Sequence, residues 1–136
     1  MGNAYLFDAS SLVELLLNRD AIDVAFDERI LDLTVYEAAN ALWKLGVARD
    51  QLTDAELNTA LSVLERLENE LQIENATGRT LTETVTVAEE HGLTVYDAAY
   101  LGTADRHQLI VVTEDSALRD AAETREIGVT SIDSLT

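Results

Sequence analysis

The sequence predicts an α/β fold built on a parallel sheet. Short apolar runs alternate with longer segments of helical periodicity, which is the pattern of repeated strand–helix units. The continuous apolar run at residues 109–112 is typical of a strand that is covered on both faces. With 136 residues, 47% of them hydrophobic, the chain has the length and the core-forming content of one domain, residues 1–136.

Five short segments are predicted to be strands because each is an apolar run bounded by polar residues. They are residues 4–7, 30–33, 71–73, 109–112 and 129–132. A further brief apolar segment, residues 93–95, precedes a predicted helix.

The segments between the strands have helical spacing and recognisable helix ends. Helices are predicted at residues 12–18, 35–48, 81–91, 96–107 and 117–122, and a further helix after Thr53 has leucines 57, 61, 64 and 67 as its buried stripe. Ser11, Thr53 and Thr80 are each followed three residues later by glutamate, which is the capping-box pattern of a helix start. Gly92 provides the left-handed cap expected at a helix end.

Charge is the unusual feature of the composition. Nine basic residues against 26 acidic ones give a net charge of −17, and Lys44 is the only lysine. Such a chain should repel nucleic acid, whose binding normally depends on basic contacts to phosphate. Either carboxylate-bound divalent ions invert the local field, or the acidity is an adaptation to a salty cytoplasm. Acid-rich, lysine-poor surfaces resemble those of halophilic archaeal proteins, so we favour adaptation to a salty cytoplasm as the explanation of the charge. We also expect carboxylate-bound divalent ions.

Several classes of protein are excluded. The absence of cysteine rules out disulfides and thiolate–metal sites. No apolar stretch approaches the roughly 18 residues needed to cross a bilayer, and the N-terminus lacks a signal-peptide pattern. We therefore expect a soluble, cytoplasmic protein.

Four acidic residues fall where the chain leaves strands or enters helices. Asp8 follows the first strand, Asp115 follows the fourth, Glu37 begins the helix after the second, and Asp97 opens the helix after residues 93–95. Ligands of open parallel sheets bind beyond the carboxyl ends of the strands, so the four acids should converge there. Oxygen ligands without histidine or cysteine suit Mg²⁺ or Mn²⁺.

Each acid also has a purely structural interpretation. Asp8 could begin a turn, Glu37 could complete a capping box with Thr34, and Asp97 and Asp115 could cap helices. Taken singly, these roles are the more common ones. They do not explain why four acids gather at one edge of the predicted sheet.

Four neighbours of these acids can support them. Asn40 and Lys44 follow Glu37 by three and seven residues on one helical face, where they could orient it or meet a phosphate. Ser10 and Thr113 lie two residues from Asp8 and Asp115, so their hydroxyls could donate to these carboxylates. The alternatives are a solvated helix face and local turn hydrogen bonds.

The chain resembles the PIN domain family, in particular the VapC-type toxins of prokaryotic toxin–antitoxin pairs. The resemblance covers the whole chain and depends on four motifs in order: YLFDAS at 5–10, TVYEAAN at 34–40, YDAAYL at 96–101 and VVTED at 111–115. It implies a single PIN-like domain with a mostly parallel, five-stranded sheet flanked by helices. It also implies a metal-dependent endoribonuclease that forms a homodimer and binds a cognate antitoxin.

By this resemblance, the catalytic and metal-binding residues are Asp8, Glu37, Asp97 and Asp115, although Glu114 leaves the fourth ligand ambiguous. The implied ions, Mg²⁺ or Mn²⁺, would activate water and stabilise the leaving oxygen of a phosphodiester. Alternatives are a housekeeping PIN-like nuclease and a catalytically inactive PIN-like interaction module. A receiver-type signalling domain would need a lysine after a late strand, and Lys44 is not there.

Overall fold

A computed structural model describes residues 2–75 and 80–136. It contains a five-stranded sheet of order β3-β2-β1-β4-β5, and every neighbouring pair of strands is parallel. The strands are β1 (Tyr5–Phe7), β2 (Arg29–Leu31), β3 (Gln72–Glu74), β4 (Ile110–Val112) and β5 (Val129–Thr130). The predicted fold class and all five predicted strands are confirmed, and no strand end differs from its predicted position by more than two residues.

Helices connect consecutive strands. They are α1 (Ala9–Leu17), α2 (Thr34–Trp43), α3 (Asp54–Glu68), α4 (Leu81–His91), α5 (Val95–His107), α6 (Ser116–Thr124) and α7 (Ile132–Leu135). A 3₁₀-helical segment, Arg19–Ala25, follows α1, and a π-helical turn, Lys44–Ala48, continues α2. The 3₁₀ segment and α7 were not predicted, because neither is long enough to show a helical hydrophobic period.

Helices cover both faces of the sheet, so the core has two halves. Alternate residues of each strand point to opposite faces. Phe7 and Val112 pack against α1, α2 and α3 on one side, whereas Leu6 and Val111 pack against α5 and α6 on the other. The run at 109–112 is therefore enclosed from both sides, as predicted.

Most of the predicted helix caps are present in the structure, but one is not. Thr53 and Glu56 form the predicted capping box, Thr80 caps α4, and Gly92 ends that helix in the left-handed conformation at φ 65°. The prediction that Ser11 caps the first helix is wrong. Asp8 is the cap, since its side chain accepts a hydrogen bond from the Ser11 amide at 2.8 Å, and α1 starts three residues earlier than predicted.

Two further expectations are corrected. Glu37 does not complete a capping box with Thr34, because Leu33 is the N-cap of α2 and makes no side-chain capping bond. Asp97 does not cap α5, because Thr94 is the N-cap and Asp97 lies in the first turn of that helix.

The strand order places a crevice at the carboxyl ends of β1 and β4. From β1 the chain adds β2 and β3 on one side of the sheet, and later β4 and β5 on the other. The connections on either side of this switch point leave the sheet in opposite directions, which opens a ligand crevice there. In the described ranges, no helix has the length and hydrophobicity needed to span a membrane.

Candidate active site

Asp8 lies at the bottom of this crevice and is almost completely buried, with 4% of its surface exposed. Its amide continues the β1–β4 ladder by donating to the Val112 carbonyl at 3.1 Å. Its carboxylate accepts hydrogen bonds from the Ser11 amide, the Ser10 hydroxyl and the Thr113 hydroxyl. Burial raises the pKa of Asp8, and these hydrogen bonds oppose that rise by stabilising the charged form.

The two hydroxyls that contact Asp8 are themselves held by backbone amides. Ser10 accepts a hydrogen bond from the Glu114 amide at 3.0 Å, and Thr113 accepts one from the Asp115 amide at 3.0 Å. Each hydroxyl therefore accepts from the β4–α6 turn and donates to Asp8. Three protons point at a carboxylate that offers about four acceptor positions, so roughly one position remains for another partner. Ser10 donates to Asp8, as predicted, whereas Thr113 donates to Asp8 and not to the Asp115 carboxylate.

Asp115 is the N-cap of α6, in the turn that follows β4. Its side chain accepts a hydrogen bond from the Ala117 amide at 3.0 Å, so the capping role foreseen for it is real. Glu114 instead has Glu14, Asp133 and Arg119 as its charged neighbours. Of the two consecutive acids in the fourth motif, Asp115 is the one that interacts with Asp97.

Glu37 is half-buried in the first turn of α2, and it is held from the other side of the sheet. The Tyr100 hydroxyl, on α5, donates to Glu37 Oε1 at 2.8 Å. The same hydroxyl is 2.6 Å from Thr34 Oγ1, which also accepts a hydrogen bond from the Leu31 amide at 3.0 Å. Thr34 is thus occupied by the end of β2 and by Tyr100, and this is why it does not cap α2.

The four acids interact with one another electrostatically. Burial raises the pKa of Glu37, and the charges of Asp97 and Asp8 raise it further. Burial also raises the pKa of Asp97, with additional contributions from Asp115 and Asp8. The hydrogen bonds give a geometric link within the group, because the Thr113 hydroxyl contacts both the Asp8 carboxylate and the Asp115 amide. The four acids therefore lie at the edge of the sheet where the carboxyl ends of β1 and β4 meet.

The carboxylates are near one another, but they are not close enough to share one metal ion. In residues 2–75 and 80–136, no three histidine, cysteine, aspartate or glutamate side chains are close enough to hold one metal ion. To share an ion, the four acids would have to move closer together than they stand.

A cleft of about 510 Å³ opens beside Glu37 between α2 and the start of α5. Asn40 and Lys44 line it together with Glu37, as the helical spacing predicted. Its rim carries two exposed tyrosines, Tyr36 at 78% and Tyr96 at 56% exposure. The sequence analysis assigned no role to these rings.

Thr34 and Tyr100 were the functional neighbours that sequence reasoning missed. Thr34 was considered only as a helix cap. Tyr100 follows Asp97 by three residues, which places both side chains on the same side of α5. That spacing was the one available signal, but its partner, Glu37, is 63 residues away in the chain.

The fold and the crevice define a PIN domain. Residues 5–124 match the PIN domain family, and the chain belongs to that family. The family resemblance inferred from the four motifs is thereby confirmed.

The relatives point to one branch of the family. The chain is 39% identical over 118 residues to exonuclease VapC9 of Pyrobaculum aerophilum, covering 84% of this chain and 82% of that protein. It is 31% identical over 120 residues to ribonuclease VapC3 of the same organism, covering 83% and 90%. The crystal structure of PAE2754 from Pyrobaculum aerophilum superposes with a TM-score of 0.77 at 34% identity, covering 98% and 86% of the two chains.

Proposed function

We propose that this PIN domain is a metal-dependent endoribonuclease of the cytoplasm and the toxin of a toxin–antitoxin pair. The proposal rests on one observation: four acids gather at the switch point, namely Asp8, Glu37, Asp97 and Asp115. The charges of Asp97 and Asp8 raise the pKa of Glu37, and those of Asp115 and Asp8 raise the pKa of Asp97. Structural capping explains Asp8 and Asp115 singly, but not this mutual repulsion. The names of the two relatives agree with nuclease activity.

The donor set suits a divalent cation. All four groups are carboxylates, and oxygen ligands of this kind are preferred by Mg²⁺ and Mn²⁺. Burial raises the pKa of Glu37 and Asp97, and repulsion from the neighbouring acids raises it further. A cation placed among them would offset both effects. We therefore assign Asp8, Glu37, Asp97 and Asp115 as the residues that hold it. The chemistry supplied by the bound ion is activation of water and stabilisation of the leaving oxygen in phosphodiester hydrolysis.

The surrounding residues orient the carboxylates and receive the substrate. Ser10 and Thr113 fix Asp8 through their hydroxyls, so that it cannot rotate away from the crevice. Lys44 and Asn40 line the cleft next to Glu37, where an ammonium and an amide can contact a phosphate of the RNA. Lys44 is the one lysine available to offset the local negative charge.

The surface around the cleft also fits a protein partner. Leu33, Tyr36, Val95 and Tyr96 are exposed at 42–78% and lie on α2, the first turn of α5, and the residue preceding α2. Contiguous exposed apolar residues beside a site mark an interaction surface. We assign this surface to the antitoxin, with a cationic side chain of the antitoxin directed at the acids. We also propose that the chain acts as a homodimer.

A cleavage assay with linear and circular RNA tests the nuclease assignment. The protein, at molar KCl with Mg²⁺ or Mn²⁺, should cut both structured and unstructured RNA and should lose activity in EDTA. A circular RNA has no ends, so its linearisation identifies an endonuclease, whereas cleavage of linear RNA alone would identify an exonuclease. Cleavage without toxicity to a host would favour the housekeeping nuclease. Retention of a partner without any cleavage would favour the interaction module.

A further inference from the structure

A buried chain of hydrogen bonds runs from the end of β2 to Glu37. It passes from the Leu31 amide to Thr34 Oγ1 at 3.0 Å, on to the Tyr100 hydroxyl at 2.6 Å, and from there to Glu37 Oε1 at 2.8 Å. Thr34 is completely buried, and Tyr100 is 1% exposed. The chain joins three separate elements, β2, α2 and α5.

The direction of this chain follows from counting protons. An ionised carboxylate can only accept, so the single Tyr100 proton goes to Glu37. The hydrogen bond between Tyr100 and Thr34 must then use the Thr34 proton, because the tyrosine proton is already committed. Thr34 in turn accepts from the Leu31 amide. Every member donates toward Glu37, and hydrogen bonds aligned in one direction polarise and strengthen one another.

This arrangement restricts Glu37 more than its own helix could. A glutamate side chain has up to about 2 kcal/mol of rotamer freedom to lose. Tyr100 donates to Oε1, so Oε2 is the oxygen with more acceptor capacity left for a cation. The constraint comes from α5, the helix that also carries Asp97. One rigid element therefore sets the position of one of the four acids and the orientation of another.

We propose that Tyr100 is a positioning residue that orients the Glu37 carboxylate for metal binding. The inference rests on the proposed function, because it takes Glu37 to be a ligand of the ion. Tyr100 itself contacts neither the ion nor the RNA. Groups that orient metal ligands in this way typically contribute about 10-fold to 100-fold in metal affinity or activity.

Removing only the hydroxyl separates positioning from core packing. Tyr100→Phe retains the buried ring, so the fold should remain and the melting temperature should fall by a few degrees at most. The dissociation constant for Mn²⁺ should rise by about 10-fold or more. The measurement is a Mn²⁺ titration of the full chain without RNA, following the electron paramagnetic resonance signal of free Mn²⁺.

One variant serves as a matched control. Tyr5→Phe removes a hydroxyl from a half-buried tyrosine at the opposite end of β1, and its Mn²⁺ affinity should equal that of the wild type. A loss in this control equal to that of Tyr100→Phe would indicate a general effect of removing a tyrosine hydroxyl and overturn the inference.

A double-mutant cycle with Glu37→Gln decides whether Tyr100 acts through Glu37. If it does, Tyr100→Phe should change Mn²⁺ affinity by less than 2-fold in the Glu37→Gln background. An equal fold-loss in both backgrounds, or no loss in the wild-type background, would overturn the inference. In those cases a loss of Mn²⁺ binding in Glu37→Gln alone would leave the proposed function intact. Unchanged Mn²⁺ binding in Glu37→Gln would instead reject Glu37 as a ligand, and both proposals with it.

Discussion

Asp97→Asn is the most informative single substitution at the site, because it removes a charge and almost no volume. Asp97 interacts with Asp115, Asp8 and Glu37, and its carboxylate also has a hydrogen bond with Thr94, the N-cap of α5. RNA cleavage should fall by more than about 100-fold, since even residues that merely support a metal ligand are worth 10-fold to 100-fold. The assay is cleavage of a fluorescent RNA at molar KCl with Mn²⁺.

The fold should survive this substitution, and the sign of the stability change can be worked out. In the first turn of α5, loss of the negative charge costs roughly 0.3–1 kcal/mol of helix-dipole stabilisation. Relief of repulsion from the neighbouring acids gains about 1 kcal/mol for a partly exposed group. Asp54→Asn is the matched control, because exposed Asp54 lies in the first turn of α3 outside the acid cluster. In EDTA at neutral pH, Asp97→Asn should therefore melt higher than Asp54→Asn, by about 4 °C.

The pH dependence of that difference provides a second check. The folded protein raises the pKa of Asp97 above its ordinary value of 3.8, so ionised Asp97 destabilises the fold at neutral pH. This cost falls as pH drops through the folded-state pKa, and it is absent below the unfolded-state value. The difference in melting temperature between Asp97→Asn and Asp54→Asn should thus shrink on acidification. Full ribonuclease activity in a folded Asp97→Asn protein would refute the assignment of the site.

Three other predictions follow from the charge, from the contacts of Asp8 and from the proposed partner. Because the net charge is −17, the melting temperature should rise steeply from dilute to molar KCl; a flat response would show that the acidity is no salt adaptation. Thr113→Val should destabilise the fold by about 1–3 kcal/mol and reduce cleavage, since it takes the hydrogen-bond acceptor from the Asp115 amide and removes one of the three donors to Asp8. Thr113→Ser should preserve both properties, as measured by chemical denaturation and RNA assay. A pull-down from the native host should retain a small antitoxin, and an arginine or lysine of that antitoxin should be needed for inhibition. Expressed alone, the wild-type protein should be toxic and the Asp97→Asn variant harmless. A harmless wild-type protein that retains no basic-tailed partner would contradict the toxin assignment.

Local sequence determined much of this protein. The alternation of short apolar runs and helical segments predicted the parallel α/β fold and all five strands, because burial on one or two faces imposes its period on the sequence. Thr53 and Gly92 mark helix ends through contacts within a few residues, so their roles were readable directly. The positions of Asp8 and Asp115 after β1 and β4 likewise followed from chain order and the geometry of parallel sheets.

Tertiary structure decided which of several equivalent local patterns formed. Ser11 and Thr34 each stand three residues before a glutamate, as Thr53 does, yet neither forms a capping box. Asp8 competes for the Ser11 amide, and Thr34 is bonded to β2 and to Tyr100, 66 residues away. A local motif specifies a contact only when no distant group offers a better one, and buried hydroxyls must be satisfied wherever a partner lies. The hydrogen bond from Tyr100 to Glu37 joins residues 63 positions apart, so it exists only once α2 and α5 are packed at the same edge of the sheet.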